Sequence, residues 1–396
     1  MGVHMNLCAK RARNLPVSST VAIADLAGKL RLQGESVIDL SAGRAAEATP
    51  AVICAAAKAA LDDGDTHQTP AQGTPSYLAA VSEKLRREND LDYDPRNGVM
   101  ATLGCKNGLV LSLLSVLDPG DEVIVEDPCF VSYVPTITLC GGVARRVRLD
   151  RDNNYRWRRN DLEAAVNEKT KAILFCSPHN PLGVVHTKSD LSVIADVANA
   201  HNLIVIADEI YEAVTWGGRQ HTPIASLPAM QDRTIGLMGM TKAYSMGGWR
   251  IGYAYAPPAI VDQMTVIQAH FMTCASSINQ RAGRAALTES VTEQMRMSVW
   301  RDWETRCQFL SGILNEIEHL SCEPPEGGFY AWVDITQTGL DSQTFCERLL
   351  KEQKVATVPG VSFGASSEGR VRITCVKARD DITESAERIA AFVRSI

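Results

Sequence analysis

Four short, almost purely apolar runs, each closed by polar or turn-forming residues, constrain this chain more than any other feature. Val123–Val125 runs into Glu126-Asp127-Pro128, and Lys171–Cys176 (KAILFC) into Ser177-Pro178-His179-Asn180-Pro181. Leu203–Ala207 (LIVIA) runs into Asp208-Glu209, and Thr234–Met238 (TIGLM) into Gly239-Met240-Thr241-Lys242. A strand with one wet face alternates apolar and polar residues, so near-continuous apolar strands need cover on both faces. Helical stretches lie between them. Lys106–Leu117 puts Leu109, Val110, Leu113, Leu114 and Leu117 on one stripe, and Asp118-Pro119-Gly120-Asp121 stops it. Lys188–Asn202 is a second helix, leading into the third strand. The pattern predicts an α/β fold, a parallel sheet covered by helices.

Beyond this region the character changes. Residues 285–318 are charged and helical without a strand, a connector into a second unit. The tail, 320–396, mixes strands (Gly328–Asp334, Arg370–Cys375) with helices (Ser342–Glu352, Asp381–Ser395). The expected division is a large domain over 46–285 and a small α+β domain over 286–396, joined by residues 1–45.

Composition narrows the function classes. A chain with 45% hydrophobic and 22% charged residues is globular rather than disordered. Forty Lys plus Arg against forty-six Asp plus Glu leave a net charge of −6, which argues against a basic nucleic-acid surface. No run of about 18 apolar residues is present, so no membrane span is expected. Eleven scattered cysteines contain no C-x-x-C pair, and neither a metal site nor a disulfide framework is expected. Lys10, Arg11 and Arg13 are not followed by an apolar signal segment, so the expected location is cytoplasmic. The opening Met1-Gly2-Val3-His4-Met5 reads as a cloning scar, with Met5 the natural start.

In an open α/β sheet, ligands gather beyond the carboxyl ends of the strands. Asn180, Asp208 and Lys242 all stand there. Alone, a lysine is an ordinary surface residue and a strand-end aspartate an ordinary helix cap. Three such groups on one edge are a sharper coincidence. Lys242 and Arg250 also bracket a glycine pair, Gly247-Gly248. An arginine fork suits a phosphate, and a partly desolvated lysine can lose its proton and act as a nucleophile. With a nearby carboxylate, these are the parts that pyridoxal 5'-phosphate (PLP) requires.

On these motifs the chain resembles the class I/II aminotransferases, the fold-type I PLP-dependent enzymes, from about Val37 to the C-terminus. The resemblance implies a large domain with a mostly parallel seven-stranded sheet between helices and a smaller α+β domain. Lys242 matches the family's Schiff-base lysine, Arg250 its phosphate arginine, Asp208 its pyridine-nitrogen aspartate and Tyr211 the tyrosine on the cofactor's phenolic oxygen. Asn180, in Asn180-Pro181-Leu182-Gly183, reaches the same oxygen. Phe130, in Asp127–Tyr133, matches the aromatic that stacks on the cofactor ring. Gly104, Cys105 and Lys106 match the loop that opens a helix under the phosphate, and Thr241 is a further phosphate contact. Gly43 matches the glycine that closes over the substrate. The substrate carboxylate clamp falls to Arg372 rather than Arg370. The implied activity moves an amino group between a small amino acid and a 2-keto acid. A homodimer with shared active sites is implied as well.

Two positions depart from the family pattern. Gly239 stands where a phosphate-binding serine is often found, and Gln68, beside His67, where a tyrosine reaches the neighbouring subunit's phosphate. Either other groups cover the phosphate, or the site is reshaped for other chemistry. A lyase, γ-substitution or cyclising enzyme of specialised metabolism on the same scaffold is therefore a second expectation. His179, in the Ser-Pro-His-Asn-Pro stretch, is a packed histidine or a base. His67, Gln68, Arg44 and His270 are surface or packing residues or contacts to the substrate side chain.

Overall fold

The computed structural model describes residues 7–13, 15, 19–43 and 45–396. The proposed start at Met5 and Arg44 lie outside these. After a helix at Ser19–Leu32 comes a two-residue strand, β1 (Ile38–Asp39). Seven strands then follow: β2 (Val99–Thr102), β3 (Glu122–Asp127), β4 (Val143–Arg148), β5 (Thr170–Cys176), β6 (Ile204–Asp208), β7 (Thr234–Gly239) and β8 (Gly252–Tyr255). They form one sheet in the order β2-β8-β7-β6-β5-β3-β4. From β4 to β7 every pairing is parallel, whereas β8 is antiparallel to both β2 and β7.

The four apolar runs are four of the sheet's five interior strands, and burial explains their composition. β5, β6 and β7 are buried along nearly their whole length. Helices Cys105–Val116 and Lys188–Ala200 supply part of the cover that such strands need. The Lys188 helix starts in a capping box between Thr187 and Asp190, which satisfies two of its orphan amides. Three strands carry no such signal. Edge strand β4 reads VARRVR and is largely exposed, so it lacks an apolar run. β2 and β8 have four residues each, and β8 opens on a glycine.

Four further strands, β9 (Ser321–Glu323), β10 (Tyr330–Asp334), β12 (Val358–Pro359) and β13 (Arg370–Thr374), make an antiparallel sheet in the order β12-β13-β10-β9. β1 runs parallel to β11 (Val355–Ala356), pairing Ile38 with Val355. The Leu40 carbonyl accepts from Thr374 N–H at 2.9 Å. The N-terminal segment is thus stitched to the C-terminal quarter of the chain. The connector is helical at Glu289–Met295, passes through a π-helical turn at Arg296–Trp300, and continues as Arg301–Asn315. Trp303 and Phe329 pack at 5.6 Å, and Phe329 packs at 5.5 Å on Tyr211. The apolar core is therefore continuous between the two sheets, and it brings β13 close to the ends of β5 and β6.

Candidate active site

Three parallel strands lying side by side end almost level. Cys176 of β5 pairs with Asp208 of β6, and Asp208 with Leu237 of β7. Each loop then leaves from the same edge, so Asn180, Asp208 and Lys242 meet although 62 positions separate the outer two. They line one cavity of about 360 Å³ with Gly43, Cys105, Lys106, Phe130, Tyr211, Thr241, Arg250 and Arg372. Of the expected site residues only Gly104 is set back from the lining. A Cβ there would lie 2.8 Å from Arg250 Nη2, so a side chain would displace the guanidinium.

Asp208 is the acid at the cavity floor. Its Oδ2 accepts from Tyr133 O–H at 2.7 Å and its Oδ1 from Ile210 N–H at 3.3 Å. Burial pushes its pKa up to about 6, while the Tyr133 hydroxyl, the Ile210 amide and Lys242 pull it down. Lys242 Nζ donates to the Gly43 carbonyl at 2.7 Å and lies 5.9 Å from the Tyr211 ring centroid.

The other cations hold the rim and the far wall. Arg250 has a left-handed backbone (φ 50°), and its Nη2 donates to the Leu103 carbonyl at 2.9 Å. That contact holds it at the start of helix Cys105–Val116, whose first amides have no partner within the helix. Arg250 and those free amides are the groups that could hold an anion here. Arg372 is buried between two rings, 4.2 Å from the Tyr330 centroid and 4.9 Å from that of Phe363. Its Nη1 donates to Asn180 Oδ1 at 2.9 Å and its Nη2 to the Ser41 carbonyl at 2.8 Å. Its Nε is buried and has no hydrogen-bond partner among the described residues. Asn180 Nδ2 donates in turn to Tyr211 Oη at 3.4 Å.

Two further side chains line the cavity that no sequence motif assigns a role. Tyr133 holds Asp208 and sits edge-on to Phe130, ring centroids 5.5 Å apart. Tyr330 lies under Arg372 with its hydroxyl 3.2 Å from that of Tyr211. It also accounts for Gly43, where a Cβ would come within 1.7 Å of Tyr330 Oη. Neither role is a local signal, since Asp208 lies 75 positions from Tyr133, and Arg372 and Tyr211 lie 42 and 119 positions from Tyr330.

Other candidates lie elsewhere. Arg370 pairs with Asp334 at 2.8 Å and does not line the cavity. His67, Gln68 and His270 are exposed and do not line it either. His179 turns away from it into a buried cluster with Glu126. The glycine at 239 has a packing reason. A Cβ there would lie 3.1 Å from the Gly252 Cα, so a serine would need β7 and β8 to give by a few tenths of an ångström.

Known proteins place this architecture. The family profile described as aminotransferase class I and II matches residues 35–389. The putative aminotransferase YugH of Bacillus subtilis is 38% identical over 359 residues, covering 91% of this chain and 92% of that protein. The aspartate aminotransferase of Pyrococcus abyssi is also 38% identical, over 360 residues, with coverage of 91% and 92%. The Thermus thermophilus aspartate aminotransferase, solved with maleate, superposes with a TM-score of 0.92 at 32% identity, covering 98% of this chain and 100% of that one. With a family match across nine-tenths of its length and the same fold throughout, this chain belongs to the class I and II aminotransferases.

Proposed function

We propose that this protein is a PLP-dependent aminotransferase whose amino donors are dicarboxylic amino acids. The observation that carries the substrate class is Lys106. Three cations of the cavity have evident partners in this chemistry: Lys242 is the reactive amine, Arg250 faces the phosphate site and Arg372 suits a substrate α-carboxylate. Lys106 is left over. It lines the cavity with Nζ 5.4 Å from the Phe130 centroid and has no carboxylate partner among the described residues. Partial burial, together with Lys242 and Arg250, holds its pKa below the usual lysine value. A second substrate carboxylate would relieve that crowding of positive charge. The relatives named aspartate aminotransferase support the same reading.

The residues present fit the cofactor. Asp208 is a buried carboxylate for its ring nitrogen, and Tyr211 and Asn180 flank the place of its phenolic oxygen. Phe130 offers a stacking face, and Arg250, Thr241 and the amides of Cys105 and Lys106 cradle its phosphate. When bound, the cofactor supplies an electron sink for the substrate's α-carbon. The chain does the rest. Arg372 and Asn180 fix the α-carboxylate, and so the direction of the α C–H bond. The unpartnered Arg372 Nε offers a donor in that direction. Lys242 Nζ takes the α-proton and returns it, and its contacts to Gly43, Tyr211 and Phe329 hold it at the cavity wall. A homodimer, with the large and small domains divided as expected from sequence, belongs to this reading.

The test is a donor panel with 2-oxoglutarate or oxaloacetate as acceptor. Aspartate and glutamate should exceed alanine and phenylalanine in kcat/KM by at least ten-fold. Lys106→Ser should erase that preference through KM. An unchanged preference in the variant would refute the role of Lys106, and turnover without any keto acid would refute transamination.

A further inference from the structure

Glu126 is a carboxylate with no exposure to solvent, at the end of β3, and the chemistry above does not use it. Three groups from two other segments converge on it. The Cys176 amide donates to Oε2 at 3.1 Å, His179 Nε2 lies 3.1 Å from the same oxygen, and His186 Nε2 lies 3.6 Å from Oε1. Both imidazoles are fully buried. Burial would raise the Glu126 pKa, but the two histidines outweigh it and the net shift is downward. A buried carboxylate stays ionised only with such partners.

The ring of His179 is held on both sides. The Leu182 amide donates to its Nδ1 at 3.3 Å, so the ring proton sits on Nε2, facing Glu126. Leu182 and His179 bracket Asn180 in the same tight loop, where Gly183 N–H also donates to the His179 carbonyl at 2.9 Å. Asn180 is the residue whose amide touches both Arg372 and Tyr211.

We infer that Glu126 and His179 are positioning residues. They lock the Asn180 loop against β3 and so set where Arg372 presents its guanidinium to the substrate carboxylate. This rests on the role given to Asn180 above. The reason is geometric. The Asn180 loop is held by the Glu326 and Gly327 amides on the Gly183 carbonyl and by Cys176 Sγ on the Pro178 carbonyl, and the His179–Glu126 contact is what ties it to β3.

Two variants and one wild-type measurement test it. Glu126→Gln keeps an acceptor but removes the charge. His179→Asn keeps the acceptor for Leu182 and loses the link to Glu126. A displaced clamp costs roughly 10- to 100-fold in this kind of orientation. Both variants should therefore raise KM for the amino donor about ten-fold or more and weaken maleate binding in parallel, with a smaller change in kcat. In an Asn180→Ala background His179→Asn should add nothing further. Nitrogen-15 spectra of histidine side chains in the wild-type protein should show the His179 ring proton on Nε2, with Nδ1 as the acceptor. An Nδ1–H tautomer, or variants that melt earlier yet keep KM and maleate affinity, would overturn the proposal. If Asn180→Ala itself left KM and maleate affinity unchanged, the assigned role of Asn180 would fall and this inference with it. A clear Asn180 phenotype beside silent His179→Asn and Glu126→Gln would overturn the inference alone.

Discussion

Asp208 is expected to cost this protein stability, and Asp208→Asn is the perturbation that exposes the cost. An unfolded chain ionises an aspartate near pH 4, whereas burial in the folded cavity raises Asp208 to about 6. The folded state therefore binds the proton more tightly. Below about pH 4 both states are protonated and no penalty exists. As pH rises from 4 to 6 the unfolded state ionises first, so the folded state loses relative stability. Above pH 6 the penalty is complete, and a shift of about two units is worth about 3 kcal/mol. Asparagine resembles the protonated acid in shape and cannot ionise. Its oxygen still accepts from Tyr133 O–H, or from Ile210 N–H, at the existing distances of 2.7 and 3.3 Å. In the cofactor-free protein the variant should thus be more stable at pH 7.5. The gain should shrink toward pH 5 and vanish near pH 4. For a chain of this length about 1 kcal/mol moves the melting midpoint by roughly 1 °C, so the expected gain is roughly 2–4 °C. Thermal melts of both proteins at pH 7.5, 6.5, 5.5 and 4.5 measure it. A variant that melts with or below the parent at pH 7.5, or a gain that does not depend on pH, would refute the reasoning. Transamination by the variant should be lost at every pH, because the ring nitrogen has no other carboxylate in the cavity lining.

Three further outcomes follow from the geometry. Lys242→Ala should abolish transamination and remove the visible absorption of the cofactor-loaded protein, and an unchanged spectrum would sink the cofactor assignment. Arg372→Lys keeps the charge but cannot reach Asn180 and Ser41 with two parallel donors, so KM for the amino donor should rise at least 100-fold with folding intact. Gly43→Ala drives a Cβ to 1.7 Å from Tyr330 Oη, so it should lower kcat/KM at least ten-fold, and the double variant with Tyr330→Phe should recover part of the loss; no recovery would mean that the clash is not the cause.

The two departures at the phosphate site separate once the structure is in view. Gly239 sits in tight contact with the Gly252 backbone, a packing reason for glycine that is independent of the reaction. Gln68 and His67 are exposed on this chain and do not line the cavity.

The sequence by itself determined the parallel interior strands of the large sheet and the polar groups at their ends. Both are short-range matters. A strand buried on both faces must be apolar along its length, and a loop that leaves it must open with turn residues, so β3, β5, β6 and β7 were legible with Asn180, Asp208 and Lys242 attached. β4 was not, because an edge strand with three arginines has no reason to look apolar. Only the tertiary structure decided which distant groups meet. β8 inserts between β2 and β7, an order no local pattern encodes. The parallel register of β5 and β6 sets Cys176 beside Asp208, and the pairing of β3 with β5 brings Glu126 within reach of His179 and Tyr133 within reach of Asp208. β13 carries both Arg370 and Arg372, and sequence spacing alone does not rank them. The fold does so by giving Asp334 to one, and Asn180 with the Tyr330 ring to the other. Such pairings rest on burying both faces of two sheets at once, a global condition that selects among many locally acceptable arrangements.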